Sequence, residues 1–470
     1  MFLNRDCKAL HMALPQEKNV VSDSHRYSHP FGFTEIFFLI FCATLPFQFA
    51  INPTSTIDLH LSRLFIPILF LVWAGNSLLR RSFFLPLTKE TLLLSLFLFL
   101  SAFSLLFTEQ REWGMRKLFF LLSFFPLFLV ATALFRNVSF LTRAFSLLFW
   151  GGALSAIAGI VQSMLPFFLG LDPTLSLWHR FLLPFFSGRA SAETISNFSS
   201  MVVNVGGFNF LRASAFFPDP HIAAFFWGML LPFGVLFTFH SRGRQRVFFA
   251  MGTLALILAD LLTFSRGGLF ALLGTFLIFF FISLPLLFRK YSVLVFLILF
   301  LGGIFLLVPN PFSLRLFSSI NESDHSVSGR IAIFHEALDI VREHPILGVG
   351  LGNYSNTVKP SADYREPRYA HNLFLDISAE TGLPTGIIFF TFLFFLLKTF
   401  FSREAHPILR ASGYSLLLFS LHALFETPLY SVHILPFLIL LMAVSSARFS
   451  FHSITTPQSK DSSYSLPNVP

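Results

Sequence analysis

Long apolar runs separated by short polar breaks fill most of this chain. Twelve runs stand out, at roughly 33–50, 60–79, 90–107, 117–135, 141–166, 221–240, 247–264, 268–287, 292–309, 384–401, 408–426 and 431–447. A helix that crosses the hydrocarbon of a bilayer needs about twenty apolar residues. Backbone N–H and C=O groups cannot stay unpaired in lipid, so such runs predict helices. The expected fold class is therefore an all-α integral membrane protein with about 12 transmembrane helices. Two polar stretches are long, 167–220 and 310–383. The second contains "GRIAIFHEALDIVREHP", in which Ile331, Phe334, Leu338 and Val341 fall on one helical face. The spacing predicts an amphipathic helix capped by Ser328 and stopped by Pro345. A helix resting on the bundle or the membrane surface accounts for the apolar stripe. It does not account for Arg330 at the helix start.

Composition agrees with the pattern. Of 470 residues, 54% are hydrophobic and only 12% charged, against about a quarter charged in soluble chains. The formal net charge of +9 would raise nucleic acid as a partner in a soluble protein. Here it reads as cytoplasmic Lys and Arg that orient the spans, with membrane lipids and no nucleic acid as partners. With the N-terminus inside, the inner segments hold 19 of the 33 Lys and Arg, which favours both termini in the cytoplasm. The expected organisation is a cytoplasmic tail over 1–32 and nine spans over 33–309, with an outer loop at 167–220. A large periplasmic loop over 310–383, three spans over 384–447 and a disordered cytoplasmic tail over 448–470 follow. The first thirty residues do not read as a cleavable signal peptide. Cys7 and Cys42 are placed for neither a metal cluster nor a disulfide.

The chemistry-bearing residues gather at span ends on one face of this topology. "TFSRGG" puts Arg266 at the outer end of the seventh run, and "FLRASAFFPDPH" puts Arg212 and Asp219 just before the sixth. Each arginine could simply sit at the interface. "HALFETPLY" carries His422 and Glu426, four apart and so on one helix face. Ionisable groups there are either functional or structural hydrogen-bonding partners between helices. "ILGVGLGNY" reads as a tight turn rather than a nucleotide cradle, because no βαβ unit surrounds it. "YAHNLFLDISAETG" sets His371 and Asn372 where the chain returns to lipid. A loop histidine alone is usually just exposed. Several arginines and one histidine on one face suit a pyrophosphate, gripped by planar guanidinium forks, and a base for a hydroxyl proton. Outer loops hold lone acids, Asp58 and Asp219, with no Asp-x-Asp pair, and no P-loop is present.

The ordered set "RASAFFPDP", "SRGG", "GR", "EHPILGVGLGNY" and "HNLFLDISAETGLPTG" resembles the O-antigen ligase and O-antigen polymerase superfamily over about 205–445. The resemblance implies a GT-C-type glycosyltransferase of the bacterial inner membrane with a periplasmic active face and no cofactor. It implies a donor glycan on undecaprenyl pyrophosphate and lipid A core or another glycan as acceptor. It places the general base on His371 and pyrophosphate-binding arginines on Arg266, Arg330 and Arg212. Beside these, Asn372, next to the base, and His422 and Glu426, ionisable at a span end, are candidate supporting residues. His221 stands where the family often has Asn, and Phe334 where it often has Trp. "HALFETPLY" is reminiscent of protein O-oligosaccharyltransferases. The expected reaction is a metal-independent, inverting displacement, with the arginines lowering the pKa of His371. Rival readings are a polymerase joining lipid-linked repeats, a transporter of lipid-linked sugars, and a membrane scaffold.

Overall fold

The computed structural model describes residues 32–54, 57–80, 86–197, 199–282, 308–317, 325–360, 368–402 and 406–447. The ninth run, the N-terminal tail and the C-terminal tail lie almost wholly outside these residues. Helices occupy Phe33–Thr44, Leu61–Leu79, Lys89–Ser104, Arg111–Leu134, Val138–Met164, Pro220–His240 and Gly243–Leu262, all within or close to the apolar runs. Arg266–Ile282 follows, then Leu383–Phe400, Pro407–His422 and Ile434–Ser446. By length and composition, 7 of the described helices can cross a membrane. Phe33–Thr44, Arg266–Ile282 and Ile434–Ser446 are apolar but shorter. The protein is a mostly helical, multi-pass membrane protein.

Two features depart from an all-α expectation. Ala50–Thr54 pairs antiparallel with Ile57–His60, and Val202–Val205 pairs antiparallel with Phe208–Leu211. Both hairpins lie beyond helix ends, where a short ladder satisfies backbone groups that no helix covers. The first shortens the first run: the helix stops at Thr44 instead of reaching 50.

The helix Pro220–His240 is the hub of the bundle. It packs against Val138–Met164, Gly243–Leu262 and Pro407–His422, and is buried along most of its length. Phenylalanine fills the interior: Phe145 stacks on Phe233 at 4.4 Å, and both belong to the main buried cluster. The Asp219 carboxylate caps this helix, its Oδ1 accepting from His221 N at 2.7 Å and Ile222 N at 2.9 Å. That cap fixes Arg212, Asp219 and His221 at one end of the bundle.

The second long polar stretch forms its own small layer on the same end. The helix His325–Glu343 buries Ala337, Ile340 and Val341 against Tyr354, Ala370 and Ala379. Ile331, expected on the packed face, is 48% exposed. The partner decides the face: the short helix Leu373–Thr381 lies under residues 337, 340 and 341, and this turns Arg330 inward. The helix begins at His325, so Ser328 lies within it and is not its cap; its last residue is Glu343, just before Pro345.

The glycine-rich "ILGVGLGNY" closes the far end of Leu373–Thr381. Val349 N donates to Ala379 O at 2.9 Å and Gly350 N to Glu380 O at 2.8 Å. These two N–H groups are spent on carbonyls, as a turn requires and a phosphate cradle forbids. Lys117, from the helix Arg111–Leu134, meets Glu380 at 2.6 Å and locks the same end to the bundle.

Candidate functional site

The centre of the site is Glu426. The helix Pro407–His422, in the eleventh run, ends at His422, so Glu426 lies in the turn beyond it rather than one helical turn along a shared face. That turn swings the carboxylate out to meet three separate segments. Arg330 Nη2 donates to Glu426 Oε1 at 2.7 Å. His371 Nδ1 lies 2.9 Å from Oε2. His221 Nδ1 lies 3.6 Å from Oε1. A carboxylate only accepts, so His371 carries its proton on Nδ1 and presents the Nε2 lone pair as the basic atom.

Asn372 explains why a His-Asn pair precedes the return to lipid. Its Oδ1 accepts from Phe374 N and Leu375 N at 3.0 and 3.1 Å, which caps Leu373–Thr381. Its Nδ2 donates to Leu424 O at 3.1 Å, and Leu373 N donates to Ala423 O at 2.9 Å. The segment carrying His371 is thereby pinned to the segment carrying Glu426. From the other side, Asp376 Oδ1 accepts from Ala370 N at 2.7 Å. Held between these bonds, His371 adopts φ of +50°, a left-handed conformation that costs of order 1–3 kcal/mol for a side-chain-bearing residue.

Strain marks the whole site. Among the described residues the non-glycine positions with positive φ are Ala215, Phe264 and His371. Ala215 follows Arg212 in "RASA", and Phe264 precedes Arg266 in "FSRGG". The first strained turn is held by Gln162, whose Oε1 accepts from Ser214 N at 2.9 Å and Ala215 N at 2.7 Å.

The arginines are not equivalent. Arg212 is 5% exposed; its Nε donates to Thr263 O at 2.6 Å and its Nη1 to Ser200 O at 2.9 Å. It ties the loop before the sixth run to the turn before Arg266. Burial brings its guanidinium down to about 10, with Asp219 opposing and the like charges of Arg315 and Arg330 adding to the fall. It stays charged at neutral pH. Arg266, 7% exposed, opens the helix Arg266–Ile282. Ser265 caps that helix, its Oγ accepting from Gly268 N at 3.2 Å. The two glycines of "SRGG" clear space for His422: a Cβ on Gly267 would sit 3.1 Å from its ring, and one on Gly268 3.4 Å.

His422 is fully buried and stacks on Phe225 at 3.6 Å. Its Nε2 lies 3.5 Å from Ser265 Oγ, so it supports the wall of the site rather than reaching the Glu426 carboxylate. Sequence reading passed over Ser265, Asp376 and Arg315. Asp376 and Arg315 carried a faint signal, as charged residues beside the apolar runs. His221 was visible only as a departure from a motif. Among the described residues no group of three or more His, Cys, Asp or Glu is arranged to hold a metal ion.

The electrostatics correct one expectation. Burial and Arg330 lower the pKa of His371, but the Glu426 hydrogen bond and charge outweigh them, so the net shift is upward. Burial works against charge on Glu426 too; His221, His371 and Arg330 overcome it and hold the carboxyl below its ordinary range. The expected lowering of His371 by arginines fails because Glu426 stands between Arg330 and the imidazole.

The site so defined is a cationic cluster around an oriented histidine, at one end of a multi-pass helical membrane protein. Residues 250–390 match the family model described as O-antigen ligase (Wzy_C), which supports placing the chain in the O-antigen ligase superfamily. Members of that family are glycosyltransferase-like enzymes, and the match supports an O-antigen ligase or polymerase type of membrane enzyme. The matched stretch holds Arg266, Arg330, His371 and Asn372; Arg212, His422 and Glu426 lie outside it. No curated protein matches the chain.

Proposed function

We propose that the protein is an O-antigen ligase on a GT-C-type scaffold. It transfers a glycan from undecaprenyl pyrophosphate to a hydroxyl of lipid A core at the periplasmic face of the inner membrane. His371 Nε2 takes the proton of the acceptor hydroxyl. The oxygen attacks the anomeric carbon as the bond to the pyrophosphate oxygen breaks, and the electron pair departs with undecaprenyl pyrophosphate. A single displacement inverts the anomeric centre. Arg266 and Arg330 meet the charge on the leaving group, with Arg212 behind them, so the reaction needs no divalent cation. Arg330 Nη2 is engaged with Glu426, and a planar guanidinium carries further donors that suit a pyrophosphate.

The observation that carries this reading is the Glu426 carboxylate bridging Arg330 and His371 at 2.7 and 2.9 Å. It fixes the tautomer a base needs and raises its basicity beside a cation suited to pyrophosphate. The test is reconstitution in liposomes with a lipid-linked glycan and three acceptors: lipid A core, a second lipid-linked repeat, and a peptide bearing hydroxyls. Product on lipid A core that disappears with His371→Ala is expected. Product only on a lipid-linked repeat would make the enzyme a polymerase, and unimpaired transfer by His371→Ala would overturn the proposed base.

A further inference from the structure

His221 occupies a position that the reaction proposed above does not use. It stands in the first turn of Pro220–His240, between two groups of opposite charge. Its Nε2 lies 3.5 Å from Arg212 Nη2, and its Nδ1 lies 3.0 Å from Ser265 Oγ and 3.6 Å from Glu426 Oε1. A guanidinium can only donate, so Nε2 is the accepting nitrogen and the ring proton sits on Nδ1. That proton points toward Ser265 and Glu426. In this tautomer the ring is neutral and satisfies both neighbours without changing the charge of either.

The arrangement has a physical purpose. Arg212 and Glu426 sense each other electrostatically, yet no direct ion pair between them is formed. In a buried site, opposite charges gain strongly by closing on one another. A Glu426 drawn to Arg212 would release Oε2 from His371, and the histidine would lose the bond that sets its tautomer. The imidazole of His221 fills the gap that such a collapse would cross. Ser265, which it contacts, also caps the helix opened by Arg266. One side chain thus separates Arg212 from Glu426 while joining the frames of Arg212 and Arg266.

We propose that His221 is a positioning residue for the Glu426–His371 pair: its ring holds Glu426 away from Arg212 and so keeps the carboxylate on His371. This rests on the assignment of His371 as the base. The ionisable groups surrounding the pair are Arg330 from the loop helix, Asp376 from Leu373–Thr381, His422 from the end of Pro407–His422, and Arg212, Asp219 and His221 from the loop and helix start opposite.

The experiment is a cycle of His221→Ala and Glu426→Gln in the full-length protein, with two readouts. One is the pH dependence of glycan transfer. The other is titration of the His371 ring by NMR in detergent-solubilised protein without donor. His221→Ala is expected to move the His371 midpoint downward and to slow transfer about 10- to 100-fold, by analogy with loss of the hydrogen-bonded partner of a metal-bound histidine. In a Glu426→Gln background it is expected to move the midpoint no further, because both changes act through one carboxylate. His221→Asn, which keeps a donor near the Nδ1 position, is expected to restore most of the midpoint, and His221→Ser, too short to fill the gap, is expected to lower it and serves if the alanine variant folds poorly. An unchanged His371 midpoint in His221→Ala or His221→Ser, or a full additional shift in the Glu426→Gln background, overturns the proposal. The two failures separate cleanly: if His371→Ala transfers glycan normally the base is wrong, whereas the ring titration judges His221 without any transfer.

Discussion

The helix Leu373–Thr381 has two ends that solve the same backbone problem in opposite ways. At its start the chain turns through positive φ at His371, a residue with a side chain and a cost. At its finish the chain turns through positive φ at Gly382, with Gly348 and Gly350 doing the same on the segment packed against it. A Cβ on Gly382 would overlap Ile346 O, and one on Gly348 would lie 2.5 Å from the Glu380 backbone. Glycine serves where only shape is needed, since it adopts these angles freely. A histidine bears the strain where the turn must also present an imidazole. Cost without a packing reason is what separates a working turn from a merely tight one.

The largest effect should come from putting glycine at the strained end. His371→Gly relieves the backbone yet removes the proposed base, so transfer per folded molecule should fall about 100- to 10,000-fold. The thermal midpoint should stay near wild type. A transfer assay paired with a melting curve checks both, and retained transfer would put the chemistry elsewhere.

Glu426→Gln comes next. The folded-state pKa of His371 is raised above 6.5 by Glu426, and a base must be neutral, so wild-type transfer should climb as pH rises through that raised value. The glutamine variant should reach its plateau at lower pH, with a lower plateau from a weaker base. The same linkage sets stability. What the His371–Glu426 contact adds is fully present below 6.5 and is lost as pH rises through the raised folded-state value. Denaturant melts of both proteins across pH 6 to 9 would expose an opposite slope.

Reversing the exchange at the other end should harm folding and spare chemistry. Gly382→Ala forces a side chain into positive φ and into Ile346, for about 1–3 kcal/mol of strain. Folded yield and melting temperature should drop, while transfer per folded molecule stays within about twofold, since the turn touches no reacting group. A selective loss of rate would mean that this end also shapes the site.

Chelation should have the smallest effect. EDTA should leave the transfer rate of purified protein unchanged, because the arginines supply the positive charge. Loss on chelation with recovery on adding a divalent ion would break that account.

The sequence alone determined the helices and the sites worth watching. Apolar runs of membrane length dictate helices whatever their neighbours, and the polar remainder had to gather at their ends. The stop before Pro345 was a local signal, whereas the cap expected at Ser328 falls inside the helix and Asn372 caps a helix that the sequence reading did not name. Arg330 and His371 stood out by their company, several arginines and one histidine gathering on one face. Tertiary structure alone decided what they do to each other. Glu426 is 55 residues from His371 and 96 from Arg330 along the chain, and it faces both only because its helix ends at His422. The upward shift at His371 and the place of His221 beside Glu426 follow from that single turn, and the face chosen by the loop helix follows from its packing on Leu373–Thr381. Helix formation is written in nearest neighbours. The balance of charges in a site depends on distances between segments, and no local pattern encodes those.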